Sequence, residues 1–265
     1  ALTEPEITYI LKDSEAKYII TSKELLDKIH NTIRLKAKII VIGVDGVIAE
    51  DLIDYRFLVE KYADGNLITD RAGDDLAMIM YTSGTTGKPK GVMLTHDNFC
   101  ASLECPFYEA LNVEGGIVLI TLPMNHVFGL AIWLYSYCKH GATIVLHRWF
   151  DPVKTLQDIE KFKISLVPLV PTMLLMILEE ASKNTYDTSS VRFWFVAAAP
   201  FPPHKIKEVE ERLGGIFIHD YGLTETMGDL SCQDPNGIRK LGSVGKPMPG
   251  MEVRRDIGRA LRGIR

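Results

Sequence analysis

The sequence predicts an α/β fold of layered, mostly parallel sheets flanked by helices. Short apolar runs alternate with helical patterns along the chain, which favours parallel layers over an all-β sandwich. Helix-opening residues follow several of those runs, and no internal repeat or low-complexity segment interrupts the series. With 265 residues and 46% apolar content the chain can bury a substantial core, as one large domain or two subdomains.

In chain order, Lys38 to Val44 is expected as a strand, and Leu76 to Tyr81 as a strand that leads into a Gly/Thr loop. Thr95 to Glu109 reads as the helix after that loop, with Thr95 as its cap. A strand over Ile117 to Leu122, a helix over Gly129 to Lys139 and a strand over Thr143 to Leu146 follow. Asp151-Pro152 opens the next helix, because proline is well tolerated in a first turn. Ser165 to Val170 is a short strand ending at Pro171, ahead of a helix from Thr172 to Lys183. Phe193 to Ala197 and Ile216 to His219 complete the strands.

The most informative segment is Tyr81-Thr82-Ser83-Gly84-Thr85-Thr86-Gly87-Lys88-Pro89-Lys90-Gly91-Val92. Glycines let backbone N–H groups turn toward one anion, the hydroxyls add donors and Lys88 adds a point charge, so the loop can wrap the phosphates of ATP. Its spacing excludes the common phosphate loop: two residues separate Gly84 from Gly87, and Lys88 is followed by Pro89, which has no hydroxyl for magnesium. A kinase glycine loop fails as well. The competing reading is a solvated Gly/Thr turn between two strands, with Lys90 as a solvated lysine.

A second cluster follows the Ile216-Phe217-Ile218 run. The Tyr221 ring could stack on adenine or be a buried core tyrosine. Glu225 has the hard oxygen ligand that magnesium prefers, and Thr224 opens a turn that can be a plain helix start. His126 follows a proline-bounded run in apolar surroundings, where the ordinary reading is a core histidine bonded to backbone. His96, His140, His147, His204 and His219 show no ligand spacing.

A net charge of −4 with interspersed Lys, Arg, Asp and Glu gives no electrostatic footprint for nucleic acid. Cys100, Cys105, Cys138 and Cys232 form no C-x-x-C pair, which argues against a zinc site or a disulfide framework and for a reducing cytoplasm. Ile117 to Cys138 lacks charge and is long enough for a bilayer, but Pro123, Asn125, His126 and Gly129 near its middle argue for a strand, a loop and a buried helix instead. Neither a transmembrane span nor a signal peptide is expected. Peripheral membrane contact and oligomeric state are left open.

Tyr81 to Val92 resembles the signature loop of the adenylate-forming enzymes, the superfamily of acyl-CoA synthetases, luciferases and peptide-synthetase adenylation domains. Leu122-Pro123-Met124-Asn125-His126-Val127-Phe128-Gly129 resembles its acyl-site motif, and Ala197-Ala198-Ala199-Pro200 stands where these enzymes usually carry Gly-Gly-Ala-Pro. Tyr221-Gly222-Leu223-Thr224-Glu225 resembles the second nucleotide motif, and Gly242 to Gly250 a later loop. The resemblance runs to about residue 250 and implies a partial N-terminal adenylation domain over 1–250, with a poorly alignable tail over 251–265. A preceding N-terminal portion and the small mobile domain with its lysine are expected to be missing, so the chain should bind ATP or an adenylate and turn over slowly or not at all.

The resemblance also implies roles. Thr82, Ser83, Gly84, Thr85, Thr86, Gly87 and Lys88 would hold the β- and γ-phosphates of ATP, and Thr224 the α-phosphate. Ala197, Ala198, Ala199 and Pro200 would form a narrow wall for the adenine, bordered by His219 and Asp220, with Tyr221 and Gly222 completing the site. Glu225 would hold Mg²⁺, and His126 would line the acyl channel, orienting or gating the carboxylate. Lys88, His126, Thr224 and Glu225 are thus the candidate catalytic residues. If glycine is needed for positive φ in the Ala197–Ala199 stretch, nucleotide affinity would be reduced.

The implied activity is an acyl-CoA ligase for a fatty or aromatic acid, using ATP, Mg²⁺ and CoA. No Asp in Phe193 to Pro203 suits an amino-acid ammonium, whereas Val127, Phe128, Leu130, Trp133 and Phe195 suggest an uncharged acyl or aryl tail. The alternatives are an adenylation domain that loads a carrier-protein thiol, a non-catalytic nucleotide- or adenylate-binding fragment, and a phosphotransferase, the last disfavoured by Pro89 and the glycine spacing.

Overall fold

The computed structural model describes residues 2–29, 38–42, 52–62, 65, 69–83, 88–104, 106–111, 114–228 and 230–254. The chain divides into two compact units, residues 1–93 and 94–265.

The first unit opens with helix α1 (Glu4–Asp13), where the Thr3 N–H donates to the Glu6 carboxylate at 2.7 Å and Pro5 occupies the first turn. Strand β1 (Tyr18–Ser22), helix α2 (Lys23–Ile29), strands β2 (Lys38–Ile42) and β3 (Leu52–Asp54) and helix α3 (Tyr55–Lys61) follow. The three strands form a parallel sheet in the order β1-β2-β3, and Ile29, Ile39 and Val41 make its buried core. The expected strand from Lys38 therefore stands to Ile42, and its last two residues lie outside the described residues. Strands β4 (Leu76–Thr82) and β5 (Lys90–Thr95) pair as a two-stranded sheet around the Gly/Thr loop, and β5 runs across the boundary between the units.

In the second unit α4 covers His96–Leu103 only, and a separate helix α5 covers Pro106–Leu111. The single helix expected to Glu109 is interrupted because proline lacks an N–H and disfavours helical geometry in the residue before it. Thr95 does cap α4, accepting from Asn98 N–H at 3.3 Å. Then come β6 (Ile117–Ile120), α6 (Val127–Trp133), a π-helical segment (Leu134–Lys139), β7 (Thr143–Leu146), α7 (Pro152–Phe162), β8 (Leu166–Leu169), α8 (Pro171–Glu180), β9 (Phe193–Val196), α9 (Pro203–Leu213) and β10 (Ile216–Tyr221). Asp151 caps α7 through the Lys154 N–H at 2.7 Å. The helix expected from Gly129 to Lys139 instead begins at Val127, since His126 caps it, and widens into π geometry in its second half.

These strands build a seven-stranded sheet in the order β12-β11-β10-β9-β8-β6-β7, where β11 is Ser231–Cys232 and β12 is Lys246–Pro247. Every pair from β10 to β7 is parallel, and the two short edge strands add antiparallel. Successive strand residues face opposite ways, so Val118 and Ile120 pack in one core with Phe128 and Ile132 of α6. Leu119 packs in the other, with Leu156 of α7, Leu174 of α8 and Val209 of α9. Trp194 is fully buried, and its indole N–H donates to the Gly214 carbonyl at 2.8 Å, so its polar edge is satisfied.

This order fixes where a ligand can sit. From β6 the chain moves outward to β7 and then returns to the other side of β6 for β8, with α6 on one face of the sheet and α7, α8 and α9 on the other. Right-handed crossovers in opposite directions require that arrangement, and it opens a crevice at the carboxyl ends of β6 and β8.

Candidate functional site

A cavity of about 160 Å³ occupies this crevice. Leu122, Pro123 and His126 reach it from the loop after β6, Phe128 and Gly129 from the first turn of α6, Val170 from the end of β8 and Ala198 from the end of β9. Gly129 is needed for packing: a Cβ there would lie 2.5 Å from the Pro123 carbonyl oxygen, so only glycine lets α6 approach the loop. Leu122 and Gly129 begin and end the segment that resembles the acyl-site motif, whereas Val170 carries no chemical signature of its own and is brought here by the strand order.

His126 is exposed at this lip instead of buried as a core histidine. Its Nδ1 accepts from the Phe128 backbone N–H at 3.3 Å, which makes it the cap of α6. Assigned from that bond, the neutral ring carries its proton on Nε2 and can donate to a ligand oxygen. Of the apolar residues expected to line an acyl site, Phe128 lines this cavity. Val127, Leu130 and Phe195 are buried in the core, and Trp133 stacks on Tyr137 with ring centroids 5.8 Å apart.

Ala198 has φ of +73°, a left-handed conformation that costs a residue with a Cβ roughly 1–3 kcal/mol. The Ala197–Ala199 stretch thus does require positive φ, at Ala198, and alanine adopts it. Of the four residues expected to form a wall, Ala197 is buried in the core, whereas Ala198, Ala199 and Pro200 are exposed. Behind them His219 is 4% exposed, and its Nε2 lies 3.2 Å from the Ala199 carbonyl oxygen. Burial lowers its pKa, partly offset by that bond, so the ring is neutral and donates from Nε2.

Tyr221 ends β10 and is 44% exposed, which removes the core-tyrosine reading and leaves a ring face open to a ligand. Asp220, beside it on the strand, is buried. After Gly222, Thr224–Thr226 form a 3-10 turn, stabilised by the Thr226 hydroxyl accepting from Leu223 N–H at 3.1 Å. Thr224 is half-buried and Glu225 exposed. Glu225 lines a different cavity, of about 560 Å³, with Met227, Met248 and residues of α4. Gly228 packs against α6: a Cβ there would be 3.5 Å from Val127 and 3.6 Å from Ala131.

Thr82 ends β4 in the first unit and is half-buried, Ser83 follows it exposed, and Lys88 is exposed before β5. Gly84, Thr85, Thr86 and Gly87 lie outside the described residues. Tyr81 belongs to the framework of this loop: its hydroxyl donates to Asp13 Oδ2 at 2.6 Å. Among the described residues no group of three or more His, Cys, Asp or Glu gathers for a metal, and no helix is long and apolar enough to cross a membrane. A lone exposed carboxylate such as Glu225 still suits magnesium, which commonly takes one or two carboxylates and completes its shell with substrate phosphates.

A family model described as AMP-binding enzyme matches residues 1–255. The chain is 36% identical over 181 residues to a long-chain-fatty-acid–CoA ligase of Bacillus subtilis, covering 68% of this chain and 32% of that protein. It is 30% identical over 260 residues to 4-coumarate–CoA ligase 3 of Arabidopsis thaliana, covering 93% and 44%. Among solved structures, the anthranilate CoA ligase AuaEII in complex with anthranoyl-AMP matches with a TM-score of 0.84 at 25% identity, over 94% of this chain and 49% of that one. O-succinylbenzoate coenzyme A synthetase from Bacillus subtilis, in complex with ATP and magnesium ion, matches at 0.74 and 30% identity, over 96% and 50%. The chain spans half or less of the length of each of these proteins.

Proposed function

Because the chain belongs to the AMP-binding enzyme family, we propose that it carries the nucleotide and acid sites of an AMP-forming acid–CoA ligase. In that reaction a carboxylate oxygen attacks the α-phosphorus of ATP, the bond to pyrophosphate breaks, and the thiol of CoA then attacks the acyl carbonyl and releases AMP. Residues 1–250 are read as part of the large adenylation domain.

The observation that carries this reading is the 160 Å³ apolar cavity at the switch point, with the His126 imidazole at its lip and the Ala198–Pro200 wall beside it. An apolar cavity of about 150 Å³ can hold benzene, so this one suits an aryl ring or a short alkyl chain. His126 donates from Nε2 to the acid's carboxylate and orients it, without moving a proton in the reaction. Tyr221 stacks on the adenine, Ala198, Ala199 and Pro200 face its other side, and Asp220 and Gly222 shape the strand end between them. Thr224 donates to the α-phosphate. Thr82, Ser83 and Lys88, with the Gly84–Gly87 loop, donate to the leaving pyrophosphate, where charge builds up. Bound at Glu225, Mg²⁺ would neutralise phosphate charge.

Free Cys100 and Cys138 are exposed, which supports a reducing compartment such as the cytoplasm. The partners on this reading are small molecules: a carboxylic acid, ATP and CoA.

Calorimetric titration of the chain with non-hydrolysable acyl-adenylate analogues bearing benzoyl, hexanoyl and palmitoyl groups tests the reading. Benzoyl or hexanoyl analogues are expected to bind, and Tyr221→Ala to weaken them at least about tenfold. Failure of every analogue to bind, or indifference to Tyr221→Ala, would overturn it.

A further inference from the structure

Ala198 holds a left-handed backbone at the wall of the switch-point cavity, where glycine would meet no penalty. The surrounding chain fixes it from both sides. Before it, the Ala197 N–H donates to the Leu169 carbonyl of β8 at 3.3 Å. After it, the Ala199 carbonyl accepts from the buried His219 of β10 at 3.2 Å. A strained residue persists only when its surroundings over-determine it, and such residues gather at binding sites. The sole side-chain carbon of Ala198 stands at a cavity barely larger than one ring, so a single methyl there is a large fraction of the difference between two ligands.

We propose that Ala198 sets the size limit of the acid, and that His219 is a positioning residue that holds Ala198 in its left-handed conformation. This rests on reading the cavity as the acid site. Glycine at 198 removes the methyl and the strain together, so the cavity grows while the fold is not weakened. His219 is buried and does not line the cavity, so its effect on the acid is expected to pass through the Ala199 carbonyl. The ring also meets Phe217 edge-on, with centroids 5.7 Å apart, and Nδ1 has no hydrogen-bond partner, so the Ala199 carbonyl is the polar contact the ring provides.

The experiment titrates the 265-residue chain with benzoyl and 2-naphthoyl versions of one non-hydrolysable adenylate analogue, alongside thermal melts. The parent chain is expected to prefer benzoyl. Ala198→Gly is expected to move the affinity ratio toward naphthoyl by about tenfold or more, the usual worth of a methylene-sized change in an apolar pocket, with no fall in Tm. His219→Leu is expected to weaken both analogues and blur the ratio. His219→Gln, whose amide N–H can donate to the same carbonyl, is expected to restore them. An unchanged ratio in Ala198→Gly with both analogues bound overturns the size limit, and wild-type behaviour of His219→Leu overturns the positioning role. If the parent chain binds neither analogue, the acid-site reading itself fails and this inference falls with it.

Discussion

His147 Nε2 lies 2.8 Å from Asp158 Oδ2, and the pair ties the residue after β7 to the buried face of α7. The other carboxylate oxygen of Asp158 accepts from Lys154 at 2.7 Å. Side-chain exposures of 8% and 4% make this a buried contact, whereas Lys154 is more than half exposed.

Burial alone would raise the Asp158 pKa, but the bonds from Lys154 and His147 outweigh it and hold the carboxyl below its ordinary value. A lowered acid pKa contributes stability that is present above the unfolded value of about 3.9 and lost as pH falls through the folded one. Asp158→Ala is expected to cost roughly 3–5 kcal/mol in urea unfolding, because a buried partner is left alone. Lys154→Ala should cost less than about 1 kcal/mol. Equal losses would show that the exposed lysine, not the histidine, is the anchor.

Gly129 meets the Pro123 carbonyl oxygen where its Cβ would be. Gly129→Ala should destabilise the chain by roughly 1–3 kcal/mol, through the shift forced on α6 or on the loop. The same shift should lower adenylate-analogue affinity. A variant with unchanged unfolding and binding would mean that helix and loop are more loosely packed.

Tyr81 loses solvent and faces Asp13, and these two effects push its pKa up to about 12. A raised tyrosine pKa contributes stability below the unfolded value of about 10, lost as pH climbs from there through about 12. Tyr81→Phe should remove that alkaline dependence and cost about 1 kcal/mol at neutral pH, the net worth of one hydrogen bond. Ultraviolet titration of the phenolate checks the first point and urea unfolding the second.

Glu225 is the exposed carboxylate of the 3-10 turn. Glu225→Gln is expected to abolish most of the gain in ATP affinity that Mg²⁺ gives, at least about tenfold, by removing a charged oxygen ligand without changing its size. Calorimetry with and without the metal decides it: an undiminished magnesium effect would move the metal to other ligands.

Much of the second unit was legible because its signals are local. Five apolar runs, from Ile117 to Ile218, became β6 to β10 with ends shifted by a few residues. Asp151-Pro152 and Thr95 opened the helices they promised. The break at Pro106 was also written in the chain, but an otherwise helical pattern on both sides masked it. The π-helical segment after Trp133 and the two-residue strands β11 and β12 depend on packing against neighbours and leave no periodicity to read. The candidate site divided in the same way: Tyr221 and Glu225 announced themselves by residue type and Gly129 by its place in a motif-like segment, while Val170 did not.

By itself the sequence determined the α/β class, the five parallel strands of the main sheet and the chemistry within reach, because strand pattern, helix caps and side-chain type are properties of short segments. Tertiary structure decided what meets what. Hydrogen bonding across the sheet set β6 between β7 and β8, and that order brought His126, Val170 and Ala198, far apart in the chain, to one cavity. It also exposed Tyr221, buried Phe195 and held Ala198 at positive φ, since exposure and strain are set by the neighbours that long-range packing supplies.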